Sequence, residues 1–215
     1  YSISVDDYGT VWAAGNCSIH FKPIGEVVWS EYDYCPTINI ETPSDMMIIG
    51  DSVYLATTNA GVHILNYITS SSSGSVSVTV DSQTDWSTQN FLSSDQITDL
   101  EVIGNHLLIA TADSGINRRD LTAQSWIATW STNNWLASNQ IHGLSLTPGW
   151  LHILAGTTVH AYDTNTLIFQ SQNQLSQLGL YGNGVMAIAW PAHPSRGPIS
   201  STALFSDDSG TLGMQ

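Results

Sequence analysis

The chain has 215 residues, enough to bury one sizeable core, and its 18 acidic and 4 basic residues give a net charge of −14. Such a surface repels nucleic-acid phosphates, which bind through Lys and Arg, and it also repels anionic lipid headgroups. No apolar run approaches the ~20 residues that span a bilayer. We therefore expect neither nucleic-acid binding nor membrane insertion, and because no phosphate loop appears, we expect no cofactor.

A short apolar phrase that contains a glycine recurs along the chain and indicates an array of like units. Copies cover 10–21, 52–64, 106–118 and 151–161. Measured on the alanine of each copy, the spacings are 42, 54 and 45 residues. WD40-like propeller blades repeat every ~40–45 residues. The longer spacing contains the serine-rich segment 70–75, which we interpret as a loop insertion that adds no core.

Each unit reads as four short strands separated by turns. In the third unit, 97–103 mostly alternates apolar and polar residues and ends at Gly104-Asn105, which predicts a strand and a tight turn. The continuous apolar run 107–111 is typical of a strand buried on both faces. A third strand begins at Ile116, and 125–130 supplies a fourth. The sequence therefore predicts an all-β fold, a β-propeller of four-stranded antiparallel blades.

Five starts of an inner strand are visible, which places the blades near 2–44, 45–95, 96–139, 140–180 and 181–215. The last unit is incomplete because no outer strand follows its third. Two interpretations remain open: a section of a longer protein, or a five-bladed ring with one reduced blade. The start at Tyr1 favours an excised or processed section. An unclosed propeller has a bare sheet edge, through which we expect it to oligomerise.

The segments between units repeat as well. Residues 91–100 match 135–144, and after each come a turn, an apolar run and a Gly-Ile or Gly-Val step. That order resembles the two-component-regulator type of propeller repeat. Segment 4–12 resembles both the Asp-Gly-Trp turn of that family and an Asp-box, and 206–212 is a partial second copy. The resemblance implies a scaffold for binding or signalling in sensor ectodomains and surface proteins, but no particular ligand.

Cys17 and Cys35 are the only cysteines, and both lie in the first unit. They form either a disulfide, if the compartment is oxidising, or two buried free thiols. Without Cys or His partners at ligand spacing they do not indicate zinc. The acidic, lysine-poor surface, rich in Ser, Thr and Asn, favours an extracellular, periplasmic or cell-surface location.

Several histidines are candidates for chemistry. His20, His63 and His160 fall at one place in the predicted third strand of three units. They could bind a metal, but descent from one ancestral unit gives the same recurrence, and equivalent positions away from the axis are far apart, so descent is preferred. His142, on a predicted inner strand, and His193, in a proline-rich loop, could form a site at one mouth of the channel. Neither has an acidic partner at a fixed spacing.

Two pairs of adjacent aspartates and one pair of adjacent arginines are further candidates for ligand binding. The pairs Asp6-Asp7 and Asp207-Asp208 could hold calcium, but turn closure by the Asp side chain needs no metal and is preferred. Arg118 and Arg119 are adjacent on one predicted strand and therefore point to opposite faces. Sialidases share the Asp-box propeller and bind their substrate through a convergent arginine cluster. Arg118 and Arg119 cannot form such a cluster, so a sialidase is not expected.

Three tryptophans close together are candidates for sugar stacking: Trp126 and Trp130 on a predicted outer strand, and Trp135 in the following loop. The alternative is that they pack between blades. We expect a non-catalytic recognition or scaffold module of a larger extracellular or surface protein, with a protein or a glycan as partner. A carbohydrate-binding lectin is the first alternative, and a lyase or hydrolase with its site at a channel mouth is the second.

Overall fold

The computed structural model describes residues 2–35, 42–72, 75–166, 168–174, 185–189, 204–207 and 212–214. Within these ranges every regular element is a β-strand, and no helix that could cross a bilayer is present. The chain divides into two compact units, Tyr1–Leu100 and Glu101–Gln215, each with its own packing. The all-β prediction is confirmed.

Strand order follows the sequence in every sheet, and all printed pairings are antiparallel. The first sheet contains β1 (Ile3–Val5), β2 (Val11–Gly15), β3 (Ser18–Lys22) and β4 (Ser30–Asp33). The second contains β5 (Pro43–Ile49), β6 (Ser52–Thr57), β7 (Val62–Ser72) and β8 (Ser75–Trp86). The third contains β9 (Ile97–Ile103), β10 (His106–Thr111), β11 (Ile116–Asp120) and β12 (Ser125–Trp130).

The fourth sheet contains β13 (Ile141–Thr147), β14 (Trp150–Ala155), β15 (Thr158–Asp163) and β16 (Phe169–Gln174). A sheet of three strands follows, with β17 (Val185–Ala189), β18 (Leu204–Asp207) and β19 (Leu212–Met214). Four units thus have the four strands that the sequence predicts, and the proline-rich loop of the fifth lies outside the described residues.

The serine-rich insertion corrects one expectation. Instead of a loop, it extends the β7–β8 hairpin to strands of 11 and 12 residues. Pairing continues as far as Ser72 and Ser75. On β8, the β-branched residues Val78 and Val80 favour extended backbone and pack against the core of the first unit. The extension therefore contributes apolar contacts, although the serines suggest only length.

Each of the two compact units has one hydrophobic core. In Tyr1–Leu100 the core includes Trp12, Leu55 and Tyr67, and in Glu101–Gln215 it includes Leu108, Ile153 and Tyr162. In the third sheet the second strand is the most deeply buried, and Leu107–Thr111 is buried throughout, as its apolar run predicts. Burying one such Leu or Ile side chain contributes about 1.5–3 kcal/mol relative to leaving it in water.

A glycine joins the start of the third strand to the end of the fourth strand in the second sheet. The N–H of Gly61 donates to the carbonyl of Asp95 at 2.9 Å, and Gly61 has a φ of 84°. A side chain at Gly61 would overlap the carbonyl oxygen of Trp86, the last residue of β8. Only glycine accepts both the positive φ and this close approach.

The third sheet repeats this arrangement. The N–H of Gly115 donates to the carbonyl of Asn139 at 2.8 Å with a φ of 86°, and a Cβ there would overlap the carbonyl oxygen of Trp130. We call this arrangement the glycine junction. The recurrent Gly-Val and Gly-Ile steps of the sequence are therefore its signature.

Cys17 and Cys35 are joined by a disulfide that links the ends of the β3–β4 hairpin. Tyr34 reinforces this closure: its hydroxyl donates to the Gly15 carbonyl at 2.9 Å and accepts from the Cys17 N–H at 3.1 Å. Tyr34 is buried, so its hydroxyl needs these partners.

Asp6 organises the turn between β1 and β2. Its Oδ1 accepts from the N–H groups of Tyr8 at 3.0 Å and Thr10 at 2.8 Å. Its Oδ2 accepts from the indole of Trp12 and the hydroxyl of Tyr67, both at 3.1 Å. Burial, together with this carboxylate, raises the pKa of Tyr67 far above its usual value, so the phenol remains a donor. Four donors surround Asp6, which supports the turn-closing role over metal binding.

We predict that Asp6→Asn lowers the free energy of unfolding by about 2–3 kcal/mol, because the amide nitrogen would face donors inside the core. Urea denaturation monitored by tryptophan fluorescence measures the change. The control is Asp7→Asn, an exposed neighbour, for which we expect a change within about 0.5 kcal/mol. Equal effects of the two substitutions would contradict this role for Asp6.

Candidate functional site

The three equivalent histidines each contact a local partner. His63 Nδ1 lies 2.6 Å from Asp85 Oδ1, His20 Nε2 lies 3.2 Å from Ser18 Oγ, and His160 Nε2 accepts from the Ala137 N–H at 3.2 Å. Across the described part of the chain, no group of three or more His, Cys, Asp or Glu side chains could hold a metal ion. These local contacts agree with descent of the three histidines from one repeat unit.

His142 lies on β13, the first strand of its sheet, and it is half-buried. Burial lowers the pKa of its imidazole. No acidic partner contacts His142 among the residues that the structure describes. His193 and Asp208 lie outside these residues, and Asp207 is placed only as the last backbone position of β18.

A cavity of about 620 Å³ opens in the second compact unit, Glu101–Gln215, and we call it the Trp135 cavity. Its walls are the side chains of Arg118, Trp130 and Trp135, the β9–β10 turn 103–106, and the β15–β16 turn with Thr164, Asn165, Thr166 and Ile168. Its volume falls within the range of small-molecule sites, which are commonly ~300–1,000 Å³.

Arg118 and Trp130 form the inner wall of the Trp135 cavity. The guanidinium carbon of Arg118 lies 4.5 Å from the centre of the Trp130 ring, within the range of a cation–π contact. Trp130 also stacks on Tyr162, with ring centres 5.2 Å apart and planes within 12°. Because Trp130 is only 4% exposed, its role is packing, and it presents little ring surface to a sugar.

Arg119 and Trp126 form a separate pair. They are cross-strand neighbours on β11 and β12, with the Arg119 guanidinium 5.3 Å from the Trp126 ring. Neither residue lines the Trp135 cavity. The two adjacent arginines thus contact different tryptophans, in agreement with the alternation of side chains along a strand.

Trp135 forms the exposed wall. Its side chain is 54% exposed, and its carbonyl accepts from the Tyr162 hydroxyl at 3.0 Å. It is the best placed of the three tryptophans for contact with a ligand, because an accessible ring face is what stacking requires.

The loop that carries Trp135 has a counterpart in the first compact unit, Tyr1–Leu100. Loops 131–139 and 87–95 share their hydrogen bonds: Ser131 and Ser87 N–H groups each donate to an Asn side chain at 2.8 Å. Thr132 and Thr88 N–H groups donate to Asn139 and Asp95 side chains at 2.8 and 2.6 Å. Phe91 holds the position equivalent to Trp135 and is 51% exposed. The aromatic therefore sits on a rigid platform in both loops.

Carboxylates next to the cavity walls are engaged in turns. Asp120 Oδ1 accepts from the N–H groups of Thr122 and Ala123, and Asp163 Oδ1 accepts from those of Asn165 and Thr166. These backbone donors lower the pKa of both carboxyl groups. No Asp or Glu of the described residues lines the Trp135 cavity.

Sequence reasoning identified Trp135 but missed the contribution of Arg118 and His106 to the same cavity. His106 begins β10 and Arg118 lies on β11, 12 positions later. The sequence signal that could have pointed to Arg118 is the small number of Lys and Arg residues, four in the whole chain.

No protein-family model matches the chain, and no curated protein is similar to it. Several solved structures share its fold. The extracellular domain of BT3049 from B. thetaiotaomicron, described as a hybrid two-component system, has a TM-score of 0.65 at 18% identity over 99% of this chain and 28% of its own. That of BT4673, described in the same way, has a TM-score of 0.68 at 13% identity over 99% and 29%.

PorZ, a surface component of the type IX secretion system of Porphyromonas gingivalis, has a TM-score of 0.69 at 15% identity over 100% of this chain and 32% of its own. The chain therefore spans no more than about a third of the length of these proteins. At such identities the similarity establishes the fold alone.

The buried ring of His160 supports the Trp135 loop and generates a pH prediction. His160 is 1% exposed and accepts from Ala137 two residues after Trp135, so protonation would remove the acceptor. Burial lowers the pKa of His160 below its unfolded value of about 6.5. Its contribution to stability is therefore complete above about pH 6.5 and is lost as the pH falls, because the unfolded chain then binds the proton first.

We predict that, as the pH is lowered from about 7.5 to 5.5, the free energy of unfolding falls less steeply in His160→Asn than in the original chain. Urea denaturation at each pH measures it. One titrating group changes the slope by at most about 1.4 kcal/mol per pH unit. Asparagine retains an acceptor and occurs naturally at the equivalent position, Asn117. Parallel pH profiles for the two proteins would contradict the prediction.

Proposed function

We propose that the chain is a section of a β-propeller in an extracellular or cell-surface protein. The ~40–45-residue repeat and the sequential four-stranded antiparallel sheets support this architecture. The fold shared with extracellular domains and with a secretion-system surface component supports the location. The disulfide between Cys17 and Cys35 agrees with an oxidising compartment.

Its proposed role is recognition of a ligand without chemical change. The observation that supports this role is the Trp135 cavity, which combines an accessible aromatic ring, one cation and several amide and hydroxyl groups. Binding sites are typically built from apolar and aromatic walls with a few polar groups that set orientation. Among the described residues, its walls contain no carboxylate pair and no Ser or Cys beside a base, and His106 stands there without a nucleophile, which favours recognition over catalysis.

A lectin is the second candidate, favoured by the exposure of Trp135. An indole face suits the C–H surface of a sugar ring, and side chains at the β15–β16 turn could bond to hydroxyl groups. A protein partner could instead insert one side chain into the same cavity. The two candidates differ in the ligand and share the site.

We predict that Trp135→Ala weakens ligand binding by about 10-fold or more, the effect expected when a central aromatic anchor is lost. The measurement is binding of the labelled chain to an array of glycans and peptides, followed by titration of the best ligand and mass analysis of the recovered ligand. The control is Phe91→Ala, which removes the equivalent exposed aromatic in the first unit.

Recognition at this site predicts that Phe91→Ala binds as the original chain does and that the ligand is recovered unchanged. Equal binding by the original chain and Trp135→Ala would place the site elsewhere. A ligand recovered with a broken or new bond would contradict the non-catalytic role.

A further inference from the structure

Arg118 supplies a guanidinium to the Trp135 cavity, and no carboxylate of the described residues pairs with it there. Among the described residues, the ring or polar contact that its guanidinium makes is the stack on Trp130 at 4.5 Å. Its Nε is buried, and no acceptor within the described part of the chain reaches it. A buried N–H without an acceptor carries a desolvation cost, which Arg118 bears at Nε.

The solitary position of Arg118 contrasts with the charge of the chain. Acidic residues outnumber basic ones by 18 to 4, so a random surface cation would be close to a carboxylate. Asp120 and Asp163, which adjoin the cavity walls in sequence, instead direct Oδ1 at backbone N–H groups of their own turns. Burial lowers the pKa of Arg118, but arginine remains charged in proteins.

The stack on Trp130 also restricts the guanidinium. An arginine held against an aromatic ring loses less freedom when its planar fork meets two oxygen atoms. A carboxylate matches that fork with two parallel N–H···O bonds. Arg118 is therefore organised for an anion with two oxygens in one plane.

The remaining walls limit what carries the carboxylate. The exposed ring of Trp135 and the side chain of Ile168 offer apolar surface, and Thr164 and Asn165 offer polar groups. At about 620 Å³ the cavity has room for a small organic molecule.

We propose that the Trp135 cavity binds a ring-bearing organic carboxylate, with Arg118 pairing the carboxylate and Trp135 covering the ring. The inference rests on the proposed recognition function and adds the chemical class of its ligand. A uronic acid and an aryl carboxylate share this chemistry, and the experiment below distinguishes them.

The test is NMR titration of the full chain with matched ligand pairs at fixed ionic strength: D-glucuronate against D-glucuronamide, and phenylacetate against phenylacetamide. Within each pair only the charge of the carboxyl group changes. Binding is read from the indole N–H signal of Trp135, which is assigned by its absence in Trp135→Phe. We expect at least one carboxylate to bind about 10-fold or more tightly than its amide, the difference typical of a charge-assisted bond.

Two variants identify the arginine. Arg118→Gln should remove the preference for carboxylate over amide, and Arg118→Lys, which keeps the charge but not the fork, should retain only part of it. The control is Arg119→Gln, whose guanidinium packs on Trp126 outside the cavity, and it should keep the full preference.

Preference for glucuronate alone or phenylacetate alone would support the proposal and identify the ring. Equal binding of carboxylate and amide would overturn it while leaving recognition at the cavity supported, since the Trp135 signal would still move. Absence of any shift with all four compounds, or a preference that survives in a folded Arg118→Gln, would also overturn it. The array experiment on Trp135→Ala tests recognition independently of these results.

Discussion

The close approach of one glycine to the carbonyl of a tryptophan is the constraint on which the second and third sheets depend. In the third sheet, Gly115 begins the turn into β11 with its α-carbon against the carbonyl oxygen of Trp130. Its N–H bonds to Asn139, and its carbonyl accepts the Thr111 hydroxyl at 2.8 Å. One residue therefore connects the buried second strand, the outer strand and the loop to the next sheet. Gly61 makes the same connections in the second sheet, with Thr57 in place of Thr111.

This junction positions the candidate site. Because β12 ends at Trp130 beside Gly115, the loop that starts at Ser131 has a defined origin and carries Trp135 to the rim of the cavity. Arg118 follows Gly115 by three residues on β11, which brings its guanidinium over the Trp130 ring. His160 supports the far side of the loop through Ala137. The cavity is thus a product of the repeat framework, and its chemistry comes from a few side chains added to it.

Much of the fold could be predicted from the sequence because the repeat signals are local. Alternation in 97–103 and the apolar run after it correspond to β9 and β10, and the Gly-Ile step corresponds to the junction. The serine-rich segment has the composition of a loop, but it forms part of the β7–β8 hairpin because it pairs with a strand that contains several valines. Local composition does not report what a strand is paired with.

The site was less predictable because it depends on contacts between strands. A bulge between Ile116 and Arg118 shifts the pairing with β12, so counting residues does not reveal which tryptophan Arg118 meets. Likewise, Trp130 and Trp135 look alike in sequence, but one is 4% and the other 54% exposed. That difference depends on Tyr162, which lies in the next sheet along the chain.

The most direct measurement compares the unfolding free energies of Gly115→Ala and Gly149→Ala. Both glycines have nearly the same positive φ, 86° and 89°, but a side chain at Gly149 meets nothing within 4 Å. We predict a loss of about 1–2 kcal/mol for Gly149→Ala, from backbone strain alone, and of about 4 kcal/mol or more for Gly115→Ala, with a displaced Trp135 indole signal. Equal losses in the two variants, with the Trp135 signal unmoved, would contradict the central role of the junction.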